Sequence, residues 1–156
     1  MFPLEVTFTM SVTPRFTNPA PPTVAAHATG KWAETMFRAL SARVAKRWRF
    51  ISFRGAKKGE WKGVVDLIAI RKNTDEPDSN TLKRGDLFDI ILVQVKGGSA
   101  KAPTMEDKRR LREVADYYNA TKVVQFCWQK GKKAEFSVLQ TDDLTWKVCT
   151  GAEIFG

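Results

Sequence analysis

The chain has 156 residues, which suffice for one sizeable hydrophobic core but not for two ordinary domains. Its 43% hydrophobic content is that of a soluble globular protein, and no run of about 18 apolar residues predicts a membrane-spanning helix. The 26 Lys and Arg outnumber the 17 Asp and Glu, which gives a net charge of +9. That charge favours a polyanion such as a nucleic acid as partner, although a basic surface can also simply aid solubility.

We interpret residues 1–28 as an amino-terminal strand and extended arm, and residues 29–156 as a single domain. The apolar residues from Leu4 to Met10 alternate with polar ones, which is the period of a strand with one buried face. Four prolines between positions 14 and 22 then exclude regular structure. The start of the chain lacks the pattern of a secretory signal, so we expect a cytoplasmic protein.

Helical periodicity begins after Thr29, which can cap a helix predicted over residues 30–47. The apolar side chains of Phe37, Leu40 and Val44 recur at the spacing of one helix face. We expect this face to pack on the sheet.

Three apolar, β-branched segments follow and are predicted as strands at about 49–54, 61–71 and 87–96. A short basic turn and a longer polar loop separate them, so they are expected to form an antiparallel meander. The second and third segments are almost continuously apolar, which favours central positions in the sheet.

A second helix is predicted over 105–119, followed by strands over 122–128 and 134–139 with Gly131 at their turn. The order α-β-β-β-α-β-β predicts an α/β fold in which helices flank a central mixed sheet. The tail beyond residue 139 receives no assignment.

Charged and polar residues interrupt the two central strands. Asp66 stands in an apolar run, where an isolated carboxylate would cost several kcal/mol unless it is paired or holds a cation. Gln94 and Lys96 interrupt the next strand and, being two residues apart, point to the same face of the sheet. If the strands are neighbours, a carboxylate, an amide oxygen, a strand carbonyl and an ammonium group converge.

Such an oxygen-rich group suits magnesium, which prefers hard oxygen ligands and clamps phosphates. A neighbouring lysine can orient water and stabilise the charge that builds on phosphorus. Glu34, in the first helix, is the expected second acid. A structural alternative also accounts for the residues: a buried ion pair of Asp66 with Lys96, with Gln94 completing its hydrogen bonds.

The order of these residues resembles the PD-(D/E)XK, or restriction-endonuclease-like, superfamily. Its core is a helix carrying a Glu, strands carrying an Asp and an acidic-x-Lys triplet, a second helix and a further strand. Glu34, Asp66 and the triplet Gln94-Val95-Lys96 occur here in that order, and the resemblance covers about residues 29–140. Within the superfamily the chain is most similar to Holliday-junction resolvases and to restriction nuclease domains that act on modified DNA.

The resemblance implies a Mg²⁺-dependent endodeoxyribonuclease, with Mn²⁺ able to substitute and no organic cofactor. Asp66, the Gln94 amide oxygen and the Val95 carbonyl would bind the metal, Lys96 would position the attacking water, and Glu34 would bind a second metal or a metal-bound water. The chain departs from the family pattern at Val65, where the family often has Pro, and at Gln94, which replaces a carboxylate. The second departure removes a negative charge and predicts weaker metal affinity.

Basic side chains on both sides of the predicted site are candidate contacts for DNA phosphates. They are Arg47, Arg49, Arg54, Lys57, Lys58, Lys62, Lys101, Lys108 and Arg109. Cutting both strands of a duplex would require two copies, so a homodimer is expected. Two alternatives to a nuclease of recombination, repair or restriction stay open: a cleavage-inactive nucleic-acid-binding module of the same fold, and a basic structural or adaptor subunit.

Overall fold

The computed structural model describes residues 24–53, 63–98 and 100–156. The predicted strand near the amino terminus lies outside these ranges. The chain order of the helices and strands is α1 (Val24–Ala42), β1 (Arg49–Ser52), β2 (Leu67–Lys72), β3 (Phe88–Gly97), α2 (Met105–Tyr117), β4 (Lys122–Trp128), β5 (Glu135–Leu139), β6 (Trp146–Cys149) and α3 (Gly151–Phe155).

The strands form one six-stranded sheet in the order β1-β2-β3-β4-β5-β6. Every neighbouring pair is antiparallel except β3 and β4, which are parallel and are therefore connected by the crossover helix α2. The predicted meander of the first three strands and the mixed sheet flanked by helices are thus confirmed. We call the β3-β4 junction the parallel seam.

An aromatic cluster holds α1 and α3 on one face of the sheet. Phe37 is fully buried, and its ring lies 5.2 Å from Phe50, 5.5 Å from Phe126, 6.0 Å from Phe136 and 6.2 Å from Phe155, measured between centroids. Tilted and edge-on contacts of this kind add to the free energy gained by burying the rings. This face carries most of the large side chains of the core.

A smaller apolar cluster holds α2 on the opposite face. Leu111 and Ala115 of α2 are fully buried together with Leu92 and Val123 of the parallel seam. Thr104 begins the helix with a capping box, since its hydroxyl accepts the Asp107 amide hydrogen and the Asp107 carboxylate accepts the Thr104 one. The predicted bounds of α2 differ from the observed ones by two residues at the carboxyl end.

The first helix begins and ends earlier than predicted. Thr29 lies inside α1 and does not cap it, because the alanine-rich segment that precedes it continues the helix. The helix ends at Ala42, where the Ser41 carbonyl accepts the amide hydrogens of Val44 and Ala45 in a tight turn. Trp48 remains buried beyond that turn, and its ring nitrogen donates a hydrogen bond to the Phe155 carbonyl.

The predicted start of the second strand was wrong, and the unassigned tail is ordered. The second strand starts at Leu67, well inside the predicted range 61–71, although Val64 is buried without being in a strand. The tail that received no assignment adds β6 to the sheet and ends in α3, which has its own capping box between Thr150 and Glu153.

Candidate active site

Asp66 immediately precedes β2 and touches the main chain of the next strand. One of its carboxylate oxygens, Oδ2, accepts a hydrogen bond from the Val95 amide at 2.7 Å, and its own amide donates to the Val93 carbonyl at 2.9 Å. The side chain is exposed, so the expected burial of this carboxylate was wrong. The strand begins only at Leu67, directly after Asp66, which leaves the carboxylate at the open end of the strand.

Gln94 and Lys96 lie on the α2 face of β3, and Val95 packs into the core beneath α1. Gln94 is only 5% exposed. Its Nε2 donates to the Val64 carbonyl at 3.2 Å, and its Oε1 accepts from Gln125 Nε2 at 3.4 Å. The amide is therefore held by two neighbours while its oxygen keeps a second lone pair for another partner.

A row of buried polar side chains crosses the sheet at Gln94. Gln94 is paired in register with Gln125 of β4, which is paired in turn with Ser137 of β5, and all three are buried. We call these three residues the polar row. Gln125 was missed from the sequence, although it interrupts an apolar strand just as Gln94 does.

Lys96 lines a cavity of about 190 Å³ beside the polar row. Its register partner on β4 is Cys127, whose thiol is half-buried. Burial raises the pKa of the Cys127 thiol, as does the nearby Glu135 carboxylate, whereas the Lys96 ammonium opposes the rise. The cavity also contains two cations that the sequence did not single out, Lys132 and Lys133.

The amino-terminal end of α2 lies close enough to Lys96 for the two to interact electrostatically. Hydrogen bonds from the amide and hydroxyl of Thr104 lower the pKa of the Asp107 carboxyl, with smaller contributions from Lys96 and Arg110. The Lys96 ammonium acts electrostatically on a residue of α2, Asp107, and on a residue of β4, Cys127. It is thus positioned at the end of the parallel seam.

Glu34 lies in the middle of α1, because the helix begins at Val24, earlier than the predicted start at residue 30. Its side chain is 14% exposed, and its carboxylate lies 3.4 Å from the Arg38 guanidinium. Since α1 covers the face of β3 opposite to Gln94 and Lys96, the contacts described for Glu34 do not bring it to them. Its role as a metal ligand stays a prediction.

The basic residues predicted to contact DNA fall into three groups. Lys101 and the α2 residues Lys108 and Arg109 follow β3 and lie at the same end of the sheet as Lys96. Arg47 and Arg49 lie at the opposite end, where β1 begins. Four others lie outside the described residues: Arg54, Lys57, Lys58 and Lys62.

The oxygen donors near Asp66 suit a hard cation, but their charge is low. Gln94 and the Val95 carbonyl are neutral, so Asp66 is the carboxylate on which a site at the triplet depends. Within residues 24–53, 63–98 and 100–156, no group of three or more Asp, Glu, His or Cys side chains is placed to hold a metal ion. The donor set fits one weakly held Mg²⁺ better than a cluster of ions.

Cys127 and Cys149 are free thiols, and both are half-buried. None of the helices in the described ranges is both long and apolar enough to cross a membrane. Comparison of the chain with family models, with curated proteins and with solved structures returned no match. The function is therefore inferred from the residues and geometry of this chain alone.

Proposed function

We propose that this protein is a metal-dependent endonuclease that hydrolyses phosphodiester bonds in DNA, built on a restriction-endonuclease-like core. The observation that carries the proposal is the contact of the Asp66 carboxylate with the Val95 main chain, at 2.7 Å. This contact joins Asp66 to the triplet Gln94-Val95-Lys96, which lies on a different strand. The net charge of +9 supplies the attraction for the phosphate backbone.

The residues that would hold Mg²⁺ are Asp66, through its carboxylate, and the neutral oxygens of Gln94 and Val95. When bound, the metal ion supplies a Lewis acid that offsets negative charge on the phosphate. Mn²⁺ accepts the same oxygen ligands and is expected to substitute. Glu34 is the candidate for a second, outer position.

Lys96 is the residue proposed to act on water. Its ammonium lies beside an open cavity of about 190 Å³, where it can hold the attacking water and oppose the charge that develops on phosphorus. Lys132 and Lys133 line the same cavity and supply positive charge for the phosphate. On the other side of Lys96, the DNA would be positioned by Lys101, Lys108 and Arg109.

A four-way junction is the preferred substrate to test first, because the described domain is small and carries no separate element for reading base sequence. A junction presents bent backbones and local openings that a basic surface can select by shape. Symmetric cleavage of two strands requires two active sites, so the enzyme is proposed to work as a homodimer.

One observation favours a second function, that of a cleavage-inactive nucleic-acid-binding module. Both polar atoms of the Gln94 amide already have partners, Val64 and Gln125, and the side chain is almost fully buried. If this arrangement persists when DNA binds, the site holds its cation with Asp66 and main-chain oxygen alone. Such a protein would bind DNA without cleaving it.

Cleavage of labelled four-way junction, linear duplex and single-stranded DNA in Mg²⁺, Mn²⁺ or chelator tests the proposal. Asp66→Asn removes the negative charge but keeps an oxygen for the Val95 amide, and Lys96→Met keeps the length of the side chain. Each is expected to lower the cleavage rate by about 10²- to 10⁴-fold without weakening DNA binding in chelator. Lys147→Met, at an exposed position of β6, is the matched control and should cleave normally.

The companion variant Gln94→Glu restores a second carboxylate and is expected to lower the Mg²⁺ concentration needed for half-maximal cleavage. Tight, salt-sensitive binding without cleavage by the wild type in either metal would favour the binding module. Wild-type protein that neither binds nor cleaves any of the three DNAs would overturn both functions.

A further inference from the structure

A basic cavity lies at the end of the sheet opposite to Asp66 and Lys96. It has a volume of about 410 Å³ and opens where β1 begins, β2 ends and β3 begins. The side chains that matter for its chemistry are Lys46, Arg47, Arg49, Ile70, Lys72 and Phe88. We call this cavity the far pocket.

The far pocket is strongly cationic. Lys46, Arg47, Arg49 and Lys72 are all exposed there. A fifth cation, Arg71, is held in place by a 2.8 Å ion pair with Asp89 and by its position 4.6 Å over the Trp48 ring. Asp75 and Asp89 line the adjoining small pocket, but the five cations outnumber them, which leaves a local excess of positive charge that is complementary to a polyanion.

The floor of the far pocket is apolar. Phe88 is 54% exposed, and Ile70 is half-buried beside it. The strand register sets Phe88 opposite Lys72 and sets Ile70 opposite Arg49. Ile51, the next residue on this face of β1, is 48% exposed, so the apolar surface continues along the edge of the sheet.

An exposed aromatic ring among cations suits a nucleobase and its flanking phosphates. The ring stacks on the base, and the cations neutralise the phosphates on each side. In a duplex the faces of the bases are already stacked on one another, so the ring can be used only by an unpaired nucleotide. The combination therefore distinguishes single-stranded from double-stranded nucleic acid.

We propose that the far pocket binds a single-stranded segment of nucleic acid, with one base stacked on Phe88 and the adjacent phosphates held by Arg49 and Lys72. The five residue steps of β2 from Leu67 to Lys72 separate it from the Asp66 end of the sheet by about 17 Å, at roughly 3.3 Å per step. The choice of nucleic acid as the polyanion rests on the proposed function, but binding at this pocket requires neither metal nor cleavage.

The test is fluorescence anisotropy of a labelled oligothymidylate and of a labelled duplex, both in chelator and over a series of salt concentrations. The variants are Phe88→Ser and the pair Arg49→Ala with Lys72→Ala. Tyr117→Ser, which removes an 80% exposed aromatic ring from α2, is matched to the first. The pair Lys130→Ala with Lys147→Ala removes two exposed charges elsewhere and is matched to the second.

Phe88→Ser is expected to weaken binding of the single strand by about fivefold or more and to leave duplex binding unchanged. Phe88→Trp should restore the affinity, which separates stacking from any effect on folding. The double charge variant is expected to weaken single-strand binding and to reduce the slope of log affinity against log salt by about 1.4, or about 0.7 per phosphate contact. The two control variants should bind like the wild type.

Equal losses in the far-pocket variants and in their controls would overturn the inference, as would unchanged single-strand affinity in Phe88→Ser. Sedimentation of the same variants tests whether a second copy of the chain occupies the far pocket instead. A wild-type dimer that dissociates in Phe88→Ser, with oligothymidylate binding intact, would show that this surface meets a second copy of the chain and would also overturn the inference. If the wild type bound the single strand at the far pocket but cleaved no DNA, the nuclease proposal would fail and the far-pocket proposal would stand.

Discussion

The face of the sheet beneath α1 is built almost entirely from apolar side chains, whereas the face beneath α2 carries polar ones in its buried rows. The first contains the ring of Phe37 surrounded by four other phenylalanines. The second contains Gln94 and Gln125 at the middle of the parallel seam, both buried. The same strands supply both faces, since successive side chains alternate between them.

This difference separates the face that holds the aromatic core from the face on which the candidate site lies. Burial of an amide gains little free energy even when it is hydrogen bonded, and apolar residues at the same positions would stabilise a sheet at least as well. Under the proposed function, the polar row would support the chemistry at the end of the seam, where Lys96 lies. Four predictions test this division, from the largest expected effect to the smallest.

Phe37→Ala is expected to lower the free energy of unfolding by about 3–5 kcal/mol, because it removes a fully buried ring and leaves a cavity among four others. Urea denaturation followed by tryptophan fluorescence measures the loss. Tyr117→Ala, at an exposed aromatic position, should change the free energy by about 0.5 kcal/mol or less. A loss of about 1 kcal/mol or less for Phe37→Ala would show that the aromatic cluster does not hold the fold.

Gln94→Leu is expected to lower the free energy of unfolding by about 1–3 kcal/mol, because the Val64 carbonyl and the Gln125 amide lose their partner. The double variant with Gln125→Leu should recover part of that loss, since it removes one of the unpaired groups. Denaturation of both single variants and the double variant gives the coupling free energy. Strictly additive losses would mean that the two amides do not interact.

Asp107→Asn is expected to lower the melting temperature at pH 7 and to have almost no effect at strongly acidic pH. Hydrogen bonds from Thr104 hold the pKa of Asp107 below its ordinary value of 3.8. The stability that they contribute is therefore complete above about pH 4 and is lost as the pH falls through the lowered pKa. Melting curves of both proteins from pH 7 downwards should converge, and a constant difference would contradict the assignment.

Cys127 is expected to react with iodoacetamide more slowly at pH 8 than an ordinary thiol, because burial and Glu135 raise its pKa. The measurement uses a Cys149→Ser background, so that a single thiol is counted. Lys96→Met should slow the reaction further, since the ammonium opposes the rise in pKa. A faster reaction in Lys96→Met would place the ammonium away from Cys127.

Most of the fold could be predicted from apolar periodicity. The errors occurred where a buried apolar residue is not part of a hydrogen-bonded strand. The strand β4 has the predicted bounds, because its apolar run is bordered by polar residues on both sides. Val64 shows the opposite case: it is buried outside any strand, and a hydrophobicity pattern cannot separate that from a strand residue. The capping box of Thr150 and Glu153 was a usable signal for α3 that the prediction overlooked.

The centre of the candidate site could be placed from the sequence, but its surroundings could not. The predicted antiparallel pairing of two apolar strands was enough to bring Asp66 to the triplet Gln94-Val95-Lys96. Gln125 is brought next to Gln94 by the parallel pairing of β3 with β4. Because a long crossover connects these two strands, the sequence does not determine which residues pair. The far pocket likewise depends on a turn after α1 that no periodicity predicts.

The parallel seam also has a consequence for the order in which the protein folds. Gln94 and Gln125 are 31 residues apart in the chain, whereas β4, β5 and β6 are joined by short hairpins that close quickly. We expect the strands on each side to pair first and the seam to close last. A refolding protein would then regain most of its secondary structure before Gln94 meets Gln125, and the delay would measure the closure of this one strand pair.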